Sequence, residues 1–335
     1  MNKQIQITVL VDAAEVTTDD PNFEVQPDAP TTEYHVIEAL RGLGHEVSVL
    51  GAVSDIGTIT NTLTKKRPDL VFNLTEAFEG DRQMDKNIAA LLEMVGVPFT
   101  GAGAAGLMLC RDKRLCKELL SLHKIHVPRF FSLPRGRRIP SAKTIRYPLV
   151  VKPALEDSSE GISNASLVSN VTELQERARF MHERWEQPAI AEEYIDGREL
   201  YVSILGNKRL TVLPPRECSF DFDGNAGPQL ATYRVKWNEQ YRKKWNIKFG
   251  LAELDQAISK NIGHVCKKVY RVLQLRDYGR IDLRLTRDNK VFILEANPNP
   301  DLAYGEEVAE AAEYSGLAYE ELIDRIVRLA LRRYK

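Results

Sequence analysis

Residues Tyr278–Leu285 (YGRIDLRL) and Val291–Asn299 (VFILEANPN) read as the two strands of a β-hairpin, joined by Thr286–Lys290. Side chains alternate between faces along a strand, so Arg280, Asp282 and Arg284 share one face, and Glu295 and Asn297 share one face of the second strand. A symmetric turn centred on Asp288-Asn289 sets Asp282 directly opposite Glu295. Ile281, Leu283, Phe292 and Leu294 then form the apolar face. Facing carboxylates repel and destabilise a sheet. A cation between them reverses that sign, and two carboxylates with a neighbouring amide are oxygen donors that suit Mg²⁺. A plain solvated face is the alternative. The hairpin thus demands an antiparallel sheet with one face in a core and the other either wet or holding a metal.

The 335 residues, 43% hydrophobic and 28% charged, are ordinary globular composition and enough for two or three domains. A net charge of -1 gives no reason to expect nucleic acid or an anionic membrane as partner. No apolar run approaches the roughly 20 residues of a membrane span. The start, MNKQIQITVLVDAAEV, lacks the apolar stretch and cleavage site of a secretory signal and reads as a first strand. Cys110, Cys116, Cys218 and Cys266 have no zinc-type spacing. Buried free thiols and a reducing, cytoplasmic setting are expected.

Strand-like runs at Ile5–Val11, Glu46–Leu50 and Asp69–Leu74 alternate with helical patterns at Thr32–Leu43 and Met84–Val95. This α/β alternation predicts a doubly wound parallel sheet over the first hundred or so residues. Asp12–Pro30 reads as a long loop. A helix around Leu115–Leu122, a strand at Tyr147–Lys152 and a helix at Thr172–Arg184 follow. Ala189–Ile195 and Glu199–Leu205 read as a second hairpin, turned on Asp196-Gly197. Beyond them come a polar, aromatic-rich loop over Asp221–Phe249 and a helix over Leu251–Leu273. The domain boundaries expected are 1–105, 106–205 and 206–335.

Gly101–Gly106 fits G-x-G-x-x-G, but it follows the third strand-helix unit, and no acid lies in Ser121–His126. The dinucleotide fingerprint belongs to the first βα turn with an acid about 20 positions on. A tight glycine turn between domains fits better.

Lys152 ends a strand and is followed by Ala154–Gly161, a small-residue loop containing Ser158 and Ser159. A lysine beside backbone N–H groups and hydroxyls can hold phosphates; the alternative is a solvated lysine by a surface turn. Glu192 and Glu199 flank Asp196-Gly197. Simple exposure is the reading those residues favour alone, and hydrogen bonding to ribose and adenine is the functional alternative. His123 and His126, beside a helix end, read as surface or capping residues.

Together Asp112-Lys113, Val150–Pro153 (VVKP), the SSEG loop, Glu192–Glu199 (EEYIDGRE), GRIDLRL and LEANPNP resemble the ATP-grasp superfamily, closest to the D-alanine:D-alanine ligases. The resemblance covers Val71 to the C terminus. It implies a three-domain architecture, α/β and α+β, with ATP between the central and C-terminal domains. It implies that Lys113, Lys152 and Ser159 contact the nucleotide phosphates, Glu192 and Glu199 the adenine and ribose, and Asp282, Glu295 and Asn297 hold Mg²⁺ or Mn²⁺. Arg280, Ser158 and Lys236 match catalytic positions, the last in a lid segment (TYRVKW) over Asp221–Phe249. The implied activity is ATP-dependent joining of a small-molecule carboxylate to an amine through an acyl phosphate, by a homodimer. A phosphotransferase and a catalytically silent nucleotide-binding protein are the alternatives.

The chain departs from that pattern in its substrate pockets. The G-G-x-S-x-E of D-alanine ligases is replaced by Val11–Val16, and the lid tyrosine by Trp237. Asp301 stands where the family has a glycine after N-x-x-P. The Ser-Leu pair that grips a substrate carboxylate falls near Glu306-Glu307, acids that repel one. Substrates other than two D-alanines are expected, and an acceptor that is cationic.

Overall fold

The computed structural model describes residues 4–12, 31–52, 54–137, 146–157, 159–220 and 230–335, without the Trp237 side chain. The expected loop after Asp12, Ser158, the Trp237 indole and the lid residues 221–229 lie outside the described residues.

The chain opens with β1 (Gln6–Val11), α1 (Thr32–Gly42), β2 (Glu46–Gly51), α2 (Ile56–Lys66), β3 (Leu70–Asn73) and α3 (Asp85–Val95). The three strands form a parallel sheet of order β2-β1-β3. Val9, Leu10, Val11 and the whole of β3 are buried, as strands covered on both faces must be. The Thr31 hydroxyl accepts the Tyr34 N–H to cap α1, and Gly96 ends α3 at φ 74°.

Next come α4 (Ala104–Arg111), α5 (Lys113–Leu122), β4 (Phe130–Leu133), β5 (Leu149–Pro153), β6 (Leu167–Val168), α6 (Val171–Trp185) and β7 (Ala189–Glu193). The strands make an antiparallel sheet of order β4-β7-β5-β6. The Asp112 carboxylate caps α5 by accepting the Leu115 N–H. Gly101, at φ 84°, donates its N–H to Asp277 and sits against the Asn299 amide, so the glycine turn is a close packing joint rather than a nucleotide loop.

The remainder builds β8 (Arg198–Gly206), β9 (Leu210–Val212), β10 (Arg216–Phe220), α7 (Tyr233–Trp237), α8 (Glu239–Lys244), β11 (Ile247–Leu251), α9 (Gln256–Val272), β12 (Tyr278–Leu285), β13 (Val291–Asn297), α10 (Glu307–Tyr314) and α11 (Tyr319–Arg333). Its antiparallel sheet runs β11-β10-β8-β12-β13, with β9 on β8. Helix α11 returns to the N-terminal sheet and packs Leu322, Ile323, Ile326 and Val327 into the core shared with Val9 and Phe72. The lid expectation of an irregular loop over Asp221–Phe249 is corrected where it is described, by α7, α8 and the start of β11.

Two further expectations are corrected. β7 and β8 are not a hairpin: β7 pairs with β4 and β5, and β8 with β10 and β12. β8, grouped by sequence with the central region, therefore belongs to the six-stranded sheet, and Asp196-Gly197 is a crossing between sheets. A favoured turn pair marks only a change of direction, not which strands then pair. Gly197 sits at φ 151°, where an added Cβ would lie 2.3 Å from the Leu285 carbonyl oxygen.

The metal hairpin is not symmetric either. Leu283 pairs with Ile293 and Leu285 with Val291, but Asp282 pairs with Glu295, because a β-bulge intervenes. Val291, Ile293 and Ala296 face the core instead of Phe292 and Leu294. Strict alternation from Val291 and Ile293 would drive Glu295 and Asn297 into that core. The extra residue restores the polar pair to the opposite face.

Candidate functional site

Two spaces meet at β12 and β13. A narrow cleft between the four- and six-stranded sheets is lined by Lys152, Ser159, Glu192, Glu199, Lys236, Asp282 and Glu295, with Arg284 and Leu294. Beyond Lys236 a cavity of about 900 Å³ is lined by Arg280, Asn297, the segment around Glu76 and Arg82, and the first turn of α10. Every described residue expected at the site borders one space or the other except Lys113. That lysine is buried, donates to the Glu156 carbonyl and stands 3.9 Å from Asp157, tethering the loop before Ser158.

Glu192 is 2% exposed, which overturns the plain reading of it as a surface acid. Its carboxylate lies 3.0 Å from the Lys152 ammonium and 3.3 Å from that of Lys117. Burial disfavours the Lys152 ammonium, but Glu192, Glu295 and Glu199 outweigh it and raise its pKa. Glu199 is likewise buried; it accepts the Tyr201 hydroxyl at 3.0 Å and the Arg284 guanidinium at 2.5 Å. Lys117 went unnoticed in the sequence. Its signal is its spacing: Lys113, Cys116, Lys117 and Leu120 are the buried face of α5, at i, i+3, i+4 and i+7.

Asp282 and Glu295 face each other as expected, and the cations that make this tolerable include the protein's own. Arg280 grips Asp282 at 2.8 and 3.0 Å and reaches Glu307 at 3.0 Å. Lys236 stands 4.0 Å from Asp282. The Lys236 ammonium and the Arg280 guanidinium each lie 5.6 Å from the centre of the Tyr201 ring, a buried cation–π platform between them. Burial pushes Asp282 up to about 6 against the pull of Arg280 and Lys236. Burial would raise Glu295 too, but Lys113, Lys236, Lys152 and Arg280 hold it below the usual carboxylate range.

The donors fit a hard divalent cation. The buried Nδ2 of Asn297 has no hydrogen-bond partner among the described residues. Amide oxygen and nitrogen exchange by a flip, so Asn297 can turn its oxygen to that spot. Among the described residues no three His, Cys, Asp or Glu gather as a metal cluster. Two carboxylates and an amide match Mg²⁺ better than a transition metal.

The large cavity has an acidic end. Glu307 occupies Arg280 and Glu310 occupies Arg216, so α10's own acids cover the cations nearest them. Glu306 and Asp301 line the same wall. Burial, Glu307 and Asp301 push Glu306 up to about 7. All four cysteines are buried free thiols. His123 is the C-cap of α5, and the His126 carbonyl accepts the Ile293 N–H.

Solved structures place this architecture. The D-alanine–D-alanine ligase of Bacillus anthracis complexed with ATP superposes with a TM-score of 0.71 at 19% identity, covering 98% of both chains. The VanG D-Ala:D-Ser ligase of Enterococcus faecalis gives 0.70 at 19%, covering 98% of this chain and 100% of its own. The fold is that of the ATP-grasp ligases. Residues 130–328 match the family described as D-ala D-ala ligase C-terminus. The protein y4sG of Sinorhizobium fredii, uncharacterized, is 34% identical over 89% of this chain and 87% of its own. The D-alanine–D-alanine ligase of Aquifex aeolicus is 28% identical over 87% of this chain and 92% of its own. The chain belongs to the D-alanine–D-alanine ligase family. Among the described residues no helix is long and apolar enough to cross a membrane.

Proposed function

We propose that this chain is an ATP-dependent ligase that joins a carboxylate to an amine through an acyl phosphate, with substrates other than two D-alanines. The observation that carries the reading is Asp282 opposite Glu295, flanked by Arg280, at the junction of a lysine-lined cleft and a 900 Å³ cavity. The family supports the same class of reaction.

ATP occupies the cleft, with Lys152 and Ser159 toward its phosphates and Glu192 and Glu199 toward adenine and ribose, while Lys113 holds the loop before Ser158 from behind. Asp282, Glu295 and Asn297 hold Mg²⁺, which neutralises charge on the transferring phosphates when bound. The acid substrate lies in the cavity beside Arg280. One of its carboxylate oxygens bonds to the γ-phosphorus as the bond to ADP breaks. An uncharged amine nitrogen of the acceptor then attacks the acyl carbon, the C–O bond to phosphate breaks, the departing phosphate takes the proton released from nitrogen, and the amide remains. Arg280 and Lys236 stabilise the charge that develops on the oxygens. Ser158 and the lid exclude water, because an acyl phosphate hydrolyses readily.

The acceptor is an amine that carries positive charge rather than a carboxylate. Arg280 and Arg216 are already engaged by Glu307 and Glu310, while Glu306 and Asp301 border the cavity. A homodimer in the cytoplasm belongs to the same proposal. Phosphate release is measured against a panel of carboxylates and amines. Release that needs both an acid and a cationic amine, with an amide as product, is expected. Dialanine formed from D-alanine at ordinary ligase rates overturns the substrate assignment, and a phosphorylated product from one substrate alone makes the chain a phosphotransferase.

A further inference from the structure

Lys117 is 1% exposed and lies on no wall of either space, so its burial needs a cause other than contact with substrate. Taking an ammonium out of water is costly unless it is paired and hydrogen-bonded. Its Nζ donates to the Leu294 carbonyl at 2.6 Å and lies 3.3 Å from Glu192. Leu294 is the residue skipped in the ladder, between Ile293, paired with Leu283, and Glu295, paired with Asp282. A bulge leaves the extra residue without ladder bonds, and among the described residues no strand pairs with the outer edge of β13 to supply a donor. The ammonium supplies that bond. The next residue back is also held from outside the sheet, by the Ile293 N–H to the His126 carbonyl, just beyond the same helix.

We propose that Lys117 is a positioning residue for the metal site: it pins the bulge that turns Glu295 and Asn297 out of the core and opposite Asp282 and Arg280. Through Glu192 the same ammonium also braces Lys152, so one buried cation sets the two halves of the cleft against each other. The proposal rests on the ligase reading only for what the cleft holds; the pinning is a statement about the hairpin itself.

The test uses the full chain and Lys117→Met, which keeps an unbranched side chain of similar length without charge. Mn²⁺ affinity is read by electron paramagnetic resonance with a nonhydrolysable ATP analogue, and amide hydrogen exchange is read over residues 291–297 without ligand. At least a tenfold weaker Mn²⁺ affinity is expected, with faster exchange concentrated in 291–297. Glu192→Gln is the control: it leaves the bond to Leu294, so it weakens the nucleotide analogue while exchange in 291–297 stays as in the parent. Mn²⁺ affinity within twofold of the parent, or unchanged exchange in 291–297, overturns the proposal. Should Lys117→Met not fold, Lys117→Arg is read in the same way. Its charge stays beside Glu192, but its broad planar head displaces the Leu294 carbonyl, so the same losses are expected and their absence is equally fatal. A parent chain that binds neither Mn²⁺ nor the analogue refutes the ligase reading instead, and the exchange measurement still decides the pinning.

Discussion

Arg280 lies along Asp282, two residues further on the same strand, through N–H···O contacts of 2.8 and 3.0 Å, and gives its remaining edge to Glu307 at 3.0 Å. Residues two apart share a strand face, so YGRIDLRL builds this fork within itself, and α10 supplies the third carboxylate. One guanidinium therefore ties the proposed metal site to the wall of the substrate cavity.

Replacing that arginine isolates two buried acids at once. Arg280→Met should lower stability by about 3–5 kcal/mol, the scale for leaving one side of a buried ion pair uncompensated. Denaturant unfolding measures it. A loss under about 1 kcal/mol would show that Asp282 and Glu307 find other partners.

Glu295 is surrounded by Lys113, Lys236, Lys152 and Arg280, which together hold it ionised. Glu295→Ala should cut turnover at least about a hundredfold, since even the residues supporting a metal ligand cost 10–100-fold when lost. The fold should survive. Phosphate release and thermal unfolding are the two readouts, and unaltered phosphate release removes the metal from the mechanism.

The polar face of the hairpin was legible because charge and apolar residues alternate strictly along YGRIDLRL. The bulge was not, because VFILEAN offers apolar residues at both phases and either could meet the core; packing of Val291 and Ile293 decided it. Lys117 was hidden by residue type, since a lysine on a helix is ordinarily solvated and its burial depends on partners more than 70 positions away. The separation of β7 from β8 was likewise unreadable: both are good strands, and only the partners β5 and β12 pull them into different sheets. The acidic turn at Glu306-Glu307 was visible, but not that Glu307 pairs with Arg280 while at Glu306 burial, Glu307 and Asp301 outweigh the pull of Arg280 and Arg216.

The crossing at Gly197 has a stability consequence. Its φ of 151° suits glycine alone, and a Cβ there would meet the Leu285 carbonyl oxygen at 2.3 Å. Gly197→Ala should cost about 1–3 kcal/mol from backbone strain, with displacement of Leu285 added. Urea unfolding tests it, and a neutral result would mean that the passage between the two sheets relaxes freely.

Glu306 gives the substrate cavity a titration near neutrality, pushed up to about 7 by burial and by the charges of Glu307 and Asp301. In the unfolded chain a glutamate titrates near 4.3. Between those values the folded state holds a proton that the unfolded state has released, so stability falls as pH rises through that window. Glu306→Gln removes this dependence. The variant should gain stability over the parent at pH 8, and the gain should shrink to nothing by about pH 4.3. Thermal unfolding of both proteins across that range measures the difference. A cationic acceptor reverses the balance, because its charge offsets Glu307 and Asp301 and favours the ionised Glu306. Binding of such an amine should therefore strengthen from pH 6 to pH 8 in the parent and lose that slope in Glu306→Gln, as calorimetric titration would show. An equal slope in both proteins would separate Glu306 from acceptor recognition.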